Sequence, residues 1–351
     1  MQTEPETTRV AQYGCHMQIR RDAITQNLAT LRDKVSCRMM AVLKNDGYGL
    51  TLLQYARLLA DAGVDTFAVG SLDEAAMLRE NGIGGDVLLL TPQTSPEAIH
   101  AMAELDVCVT VGSLSQAQAV LQAAPQAPVH IMIDTGLGRY GFTLQEAREA
   151  ADTLRQLHIL GTYTHFAAPY RQRMRTARQF RTFVLAVQAL RGLGVEPGLL
   201  HCCASGAMLR YPHMHLDMVR VGSALLGRVP KAREYGLRPA VALVAPVTAI
   251  KQTGRRSRAG YNGGVVLRRK AVIGIVGAGT AHGYLPRRRF FGLLKAVEYA
   301  DLAGTKVRML GALGTNSLAI DLTGVNCREG DMVSMGINPL HCAAGIPRVF
   351  V

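Results

Sequence analysis

At 351 residues, with 48% hydrophobic and 19% charged positions, the chain has enough apolar material for one large or two medium globular domains. The absence of any run of about 18 apolar residues excludes a transmembrane helix, and the first ten residues lack the basic and apolar stretches of a signal peptide. Seven cysteines, an odd number with Cys202 and Cys203 adjacent, do not read as a disulfide framework and point to a reducing cytoplasm.

In chain order, a helix is expected at about 22–34, followed by short apolar, β-branched runs ending near Leu43, Val69, Leu90, Val111, Ile133, His165, Cys203 and Val221. Between them helical patterns fall at 51–62, 73–81, 96–105, 115–123, 145–156 and 174–193, with a short one after Ser205. Eight strands, each followed by a helix or a helix-length gap, argue for a parallel sheet that closes into a (β/α)8 TIM-type barrel; an open doubly wound sheet is the competitor. From Pro239 onward the texture changes. Val241 to Ile250, Gly264 to Leu267, Ala271 to Val276, Lys306 to Leu310 and Ser317 to Leu322 read as strands between glycine and basic turns. The expected organisation is a barrel over 1–238 and a mostly β domain over 239–351.

The net charge of +13 is concentrated in Arg255-Arg256-Ser257-Arg258, Arg268-Arg269-Lys270 and Arg287-Arg288-Arg289. Without aromatic interleaving or zinc-finger spacing, these clusters favour solvated surface, or a funnel for anionic ligands, over nucleic-acid binding.

The distinctive polar residues fall at the carboxyl ends of the barrel strands, the face where barrel enzymes carry their sites. Lys44 follows the first strand, and Asp134 to Phe142, with Arg139, follows the fifth. Thr164-His165-Phe166 closes the sixth, Ser205 follows the seventh, and Arg220 and Gly222 close the eighth. A lysine at the mouth of a buried strand is a costly place for an ammonium, because desolvation lowers its pKa; a neutral amine there can condense with an aldehyde. The bland alternative is a solvated lysine snorkelling off a strand end. Gly47, Tyr48 and Gly49 make a turn able to bring backbone N–H groups and a phenol towards a phosphate.

These stretches also resemble a family. AVLKNDGYG, IDTGLGRYGF, YTHF, ASGA, MVRVGSALLGR and AGYNGG occur in the order and spacing of the alanine racemases, fold-type III pyridoxal phosphate enzymes. The resemblance implies a (β/α)8 barrel with a C-terminal β domain, a homodimer with shared active sites, an amino-acid substrate and pyridoxal 5'-phosphate as cofactor. It implies that Lys44 binds the cofactor aldehyde and is one of two proton-transfer bases. Tyr261 would be the other, reaching in from the second subunit. Arg220 would lie beside the pyridine nitrogen with His165 as its orienting partner, and Arg139 near the cofactor phenolate and the substrate carboxylate. Tyr48, Ser205 and Gly222 would hold the phosphate, and the backbone of Thr315 would border the substrate.

The chain also departs from the family pattern. Leu50 stands where histidine is usual, Met132 where many members have a lysine, Ala204 where asparagine precedes the serine, and Gly314-Thr315-Asn316 where a cysteine-methionine-aspartate run is typical. A family segment bearing a phosphate-binding tyrosine has no counterpart between Val333 and Ile346. Fewer cofactor contacts and a wider pocket are therefore expected. Three readings follow: an amino-acid racemase, a pyridoxal phosphate binding protein with weak turnover, or another fold-type III reaction such as decarboxylation. Gly277 to Gly283 looks like a dinucleotide loop, but Pro286 and arginines follow where a helix is needed, so a β-domain turn is expected. His213, His215 and Asp217, and His201 beside two cysteines, lack a metal-site frame.

Overall fold

The structure, a computed structural model, describes residues 13–261, 264–285 and 298–351. Asn262, Gly263, Pro286, the Arg287–Arg289 cluster and the first ten residues lie outside the described residues.

Residues 22–239 form one compact unit. Its strands are β2 (Arg38–Val42), β3 (Thr66–Val69), β4 (Asp86–Leu89), β5 (Cys108–Val111), β6 (Pro128–Met132), β7 (His158–Tyr163), β8 (Leu199–His201) and β9 (Met218–Val221). All neighbours are parallel, in the order β8-β7-β6-β5-β4-β3-β2-β9. The ends of that row meet: Arg220 N–H donates to Cys203 O at 2.9 Å, Asp217 N–H to Leu200 O at 3.1 Å, and Ala204 bridges Arg220. The sheet thus closes into the expected barrel. Alternation along each strand turns Met40, Val42, Ala68, Leu88, Cys108, Met132, Tyr163 and Met218 to the interior, where they form one packed cluster.

Several outer helices begin where the sequence supplies caps. Ser71 and Glu74 make a capping box at α3 (Leu72–Glu80), and Ser95 caps α4 (Pro96–Glu104), whose first residue is the expected N1 proline. The remaining outer elements are α1 (Arg21–Arg32), α2 (Leu52–Asp61), α5 (Leu114–Ala123), α8 (Arg173–Gly192) and α9 (Ser205–Arg210). α2 buries Leu52, Tyr55, Ala56 and Leu59, where each large apolar side chain is worth about 1.5–3 kcal/mol of transfer free energy. The single helix expected at 145–156 is two pieces, α6 (Leu144–Glu149) and α7 (Ala151–Leu154); nothing in the sequence marks a break at Ala150.

The described residues from 240 onward form the second unit together with residues 13–21. The N-terminal strand β1 (His16–Ile19), placed with the barrel by sequence position, pairs antiparallel with β10 (Val241–Thr253) and parallel with β18 (Arg348–Phe350). Met17 and Ile19 are both fully buried in that position between the two strands. The 13-residue β10 pairs β17 (Met332–Gly336) with its first half and β13 (Ala271–Val276) with its second, shifting register between Val247 and Ala249. Pro246, which lacks an N–H, sits next to that irregularity. β11 (Arg258–Ala259) and β12 (Val265–Val266) form a separate two-stranded ribbon. β14 (Tyr299–Leu302), β15 (Thr305–Leu310) and β16 (Leu318–Asp321) complete the larger sheet. Among the described residues no helix is long and apolar enough to cross a membrane.

Candidate active site

Lys44 leaves the barrel directly after Leu43, which is fully buried and donates its N–H to Ala68 O at 2.7 Å. The next four residues, Asn45, Asp46, Gly47 and Tyr48, have φ of 61°, 53°, 62° and 61°. They form a left-handed turn, which L-residues other than Asn, Asp and Gly resist by roughly 1–2 kcal/mol each. Glu74 holds it: its carboxylate accepts from Asp46 N–H at 2.8 Å and from Gly70 N–H at 2.7 Å. Asp46 in turn accepts from Leu52 N–H at 2.7 Å, and Gly47 N–H donates to Leu43 O at 2.7 Å. This turn directs the Tyr48 phenol onto Gly222, where any Cβ would overlap the hydroxyl. A glycine is required there.

Burial, then the charge of Arg139, pushes the Lys44 amine below the ordinary lysine range, and Glu74 opposes them. Burial raises the Tyr48 phenol, which therefore stays a neutral donor. Ser205 is buried, and its Oγ accepts from the N–H groups of Gly222 at 3.2 Å and Ala224 at 3.3 Å. Two hydroxyl groups, Tyr48 and Ser205, thus converge on Gly222. Tyr48, Ser205 and Gly222 come together as the sequence expects, on the same barrel end as Lys44.

Arg220 projects inward from β9 at 3% exposure. Its Nη2 donates to Thr164 O at 2.7 Å, and its Nη1 to His201 O at 2.9 Å and His201 Nδ1 at 2.8 Å. The guanidinium also sits 4.9 Å from the centre of the Tyr163 ring. The imidazole that orients Arg220 is therefore His201, where the resemblance assigned His165. Arg220 and His201 project from neighbouring strands of the closing seam, whereas the side chain of His165 belongs to the residue after Thr164, whose carbonyl already takes Nη2. His165 is half-buried, and desolvation followed by Arg220, Arg139 and Lys44 holds its pKa down to about 3. Arg139 is exposed, 5.5 Å from the Tyr140 ring, at the rim of a cavity of about 310 Å³ lined also by Ser113, Gln116, Asp134 and Glu146. Asp134 fastens that loop by accepting from Gly136 and Leu137 N–H, each at 2.9 Å. Leu50 is a fully buried core side chain and Met132 part of the barrel interior.

In the β unit Tyr261 is 60% exposed, bridges Ala312, and lays its ring against Gly314, next to Thr315. The Gly277–Gly283 turn donates Thr280 N–H to Gly314 O at 3.1 Å and Ala281 N–H to Thr315 O at 2.9 Å. It is a turn of the β unit, as expected, and it supports the Gly314–Thr315 loop. His215 bonds Met208 O at 2.8 Å, and His213 packs edge-on against Phe180 and Tyr211.

Sequence reasoning missed Glu74, His201 and His130. Strand alternation could have found His130, which shares the interior face of β6 with Met132.

A closed parallel barrel that gathers a deprotonatable lysine, a buried arginine and convergent hydroxyls at its strand ends is a barrel enzyme, in a chain that also holds a β unit. Residues 19–230 match the family description "Alanine racemase, N-terminal domain" and residues 240–341 "Alanine racemase, C-terminal domain". Alanine racemase of Desulforamulus reducens is 32% identical over 87% of this chain and 85% of its own length. That of Nitrosomonas europaea is 33% identical over 89% and 87%. Alanine racemase from the D-cycloserine producing Streptomyces lavendulae superposes with a TM-score of 0.83 at 25% identity, covering 96% of this chain and 97% of its own. The biosynthetic alanine racemase of Pseudomonas aeruginosa shares the fold with a TM-score of 0.84 at 24% identity, over 96% and 99%. The chain belongs to the alanine racemase family of isomerases.

Proposed function

We propose that this enzyme interconverts the enantiomers of a small amino acid with pyridoxal 5'-phosphate, using Lys44 and Tyr261 as bases on opposite faces of Cα. Alanine, the substrate in its relatives' names, is the first to test. The observation that carries the reading is Lys44: a half-buried amine held below its ordinary pKa beside Arg139 and next to the Tyr48–Gly222 cradle. The donor set suits the cofactor. Two hydroxyls converge on a glycine that admits no side chain, which fits a phosphate, and an amine lies on the same barrel end for the aldehyde. When bound, the cofactor supplies an electron-withdrawing ring that acidifies the substrate Cα–H.

The chain's own groups do the rest. The Lys44 Nζ takes or returns a proton on one face, and the Tyr261 hydroxyl does so on the other. Arg139 pairs with the substrate carboxylate, and Thr315 borders the substrate. Arg220 would present a permanent cation to the cofactor's ring nitrogen and keep it unprotonated. His165 lines the same mouth and stays neutral. Tyr261 lies in the β unit, and the reading has it supplied by the partner of a homodimer. Seven free thiols support a reducing, cytoplasmic setting.

The test is incubation of the cofactor-loaded protein with L-alanine and, separately, with each other L-amino acid, scoring the D-form by chiral chromatography. Appearance of one D-amino acid, lost in Lys44→Ala, is the expected result. No D-product from any of them, with the cofactor bound, ends the racemase reading and leaves a binding protein or another fold-type III reaction.

A further inference from the structure

Beneath Arg220 the barrel interior carries a second histidine where apolar filling is usual. His130 is 4% exposed and His201 fully buried. His130 Nδ1 lies 2.8 Å from His201 Nε2, and His201 Nδ1 lies 2.8 Å from Arg220 Nη1. The two rings meet edge to face, and Tyr163 stacks on His201 at 5.0 Å. Gly161 makes the room: a Cβ there would sit 2.6 Å from the His130 ring.

The chemistry of the three groups fixes every proton. A guanidinium has donors only, so His201 Nδ1 must accept from Arg220. A neutral imidazole with a bare Nδ1 carries its proton on Nε2, so His201 donates to His130 Nδ1. His130 then holds its own proton on Nε2. The reverse direction would require a His201 with no proton at all. Protonating His201 would aim an N–H at a donor 2.8 Å away, inside a barrel where no carboxylate is among the hydrogen-bond partners of Arg220.

We propose that His130 is a positioning residue: by accepting from His201 Nε2 it fixes the His201 tautomer, and so fixes the direction in which Arg220 points its guanidinium. The role of Arg220 towards the ring nitrogen rests on the function proposed above, but the tautomer does not.

The test uses the full-length protein with ¹⁵N-labelled histidine, without and with cofactor. Long-range ¹H–¹⁵N correlation should show His201 and His130 as neutral Nε2–H tautomers from pH 5 to pH 9. In His130→Leu, which removes the acceptor, the His201 pattern should become mixed, and turnover should fall ten-fold or more with KM little changed. In His130→Asn, whose Oδ1 can stand where Nδ1 stood, both the single tautomer and most of the turnover should return. If wild-type His201 carries its proton on Nδ1, or if its pattern is unmoved in His130→Leu, the proposal is overturned. Equal loss of turnover in the Leu and Asn variants would likewise overturn it, reducing His130 to packing. Should the tautomers behave as stated while no variant or wild type racemises, the positioning stands and the functional reading fails.

Discussion

Arg220 holds a permanent charge at 3% exposure with two carbonyls, an imidazole and an aromatic face around it. Imidazoles beside such a cation cannot share it. Burial and then Arg220 hold His130 down to about 3, and the same two causes push His201 well below the usual histidine range. The sign of the linkage follows. Between about 3 and the unfolded value near 6.5, the unfolded chain binds protons that the folded one refuses, so stability rises with pH across that window and is lost on acidification. Each such histidine contributes a slope of at most about 1.4 kcal/mol per pH unit. Urea midpoints at pH 7.5, 6.0 and 5.0 should therefore fall, and should fall less steeply in His130→Asn, which has one fewer group to titrate. Parallel pH dependence in the two proteins would mean His130 is not held neutral. These histidines were visible as residues in the sequence, yet their role was not. What joins His130 to His201 is the adjacency of β6, β7 and β8 around the barrel, with Gly161 as the gap between them.

The left-handed turn after β2 shows the same limit at the level of an element. Asn45, Asp46 and Gly47 tolerate positive φ and signal a turn, but Tyr48 at 61° does not, and the carboxylate that holds the turn comes from α3. Glu74 spends one oxygen on Asp46 and the other on Gly70 and Ser71, so it closes a capping box and clamps the lysine turn together. Glu74→Ala should cost about 1–2 kcal/mol of stability, the range for a lost helix cap, here with the bonds to Asp46 and Gly70 lost as well. It should also lower turnover more than Ser71→Ala, which removes the cap alone; equal effects would detach the clamp from Lys44. Mostly apolar, largely buried runs were legible: strand ends at Val69, Val111 and Val221, and Ala271–Val276 at both ends, agree with the structure. β1, β14, β17 and β18 were not, because their three to five residues include half-buried or exposed positions and so present no continuous apolar run.

At the scale of the whole molecule the two proposed bases belong to different units, Lys44 to the barrel and Tyr261 to the β unit. Tyr261 is 60% exposed in the single chain, an unusual surface for a proton-transfer group unless another surface covers it. A two-fold dimer satisfies this, since the same patch that offers Tyr261 to the partner receives the partner's own tyrosine. The consequence can be measured by subunit mixing. Lys44→Ala and Tyr261→Phe should each be inactive alone. In a mixed dimer one site loses both bases and the other keeps both. With random assortment half the dimers are mixed, so roughly a quarter of wild-type turnover should return. The control is a demonstration of exchange, by differently tagged protomers co-purifying. If exchange is complete and the mixture stays inactive, Tyr261 either serves its own subunit or is no base, and the shared-site arrangement is ruled out.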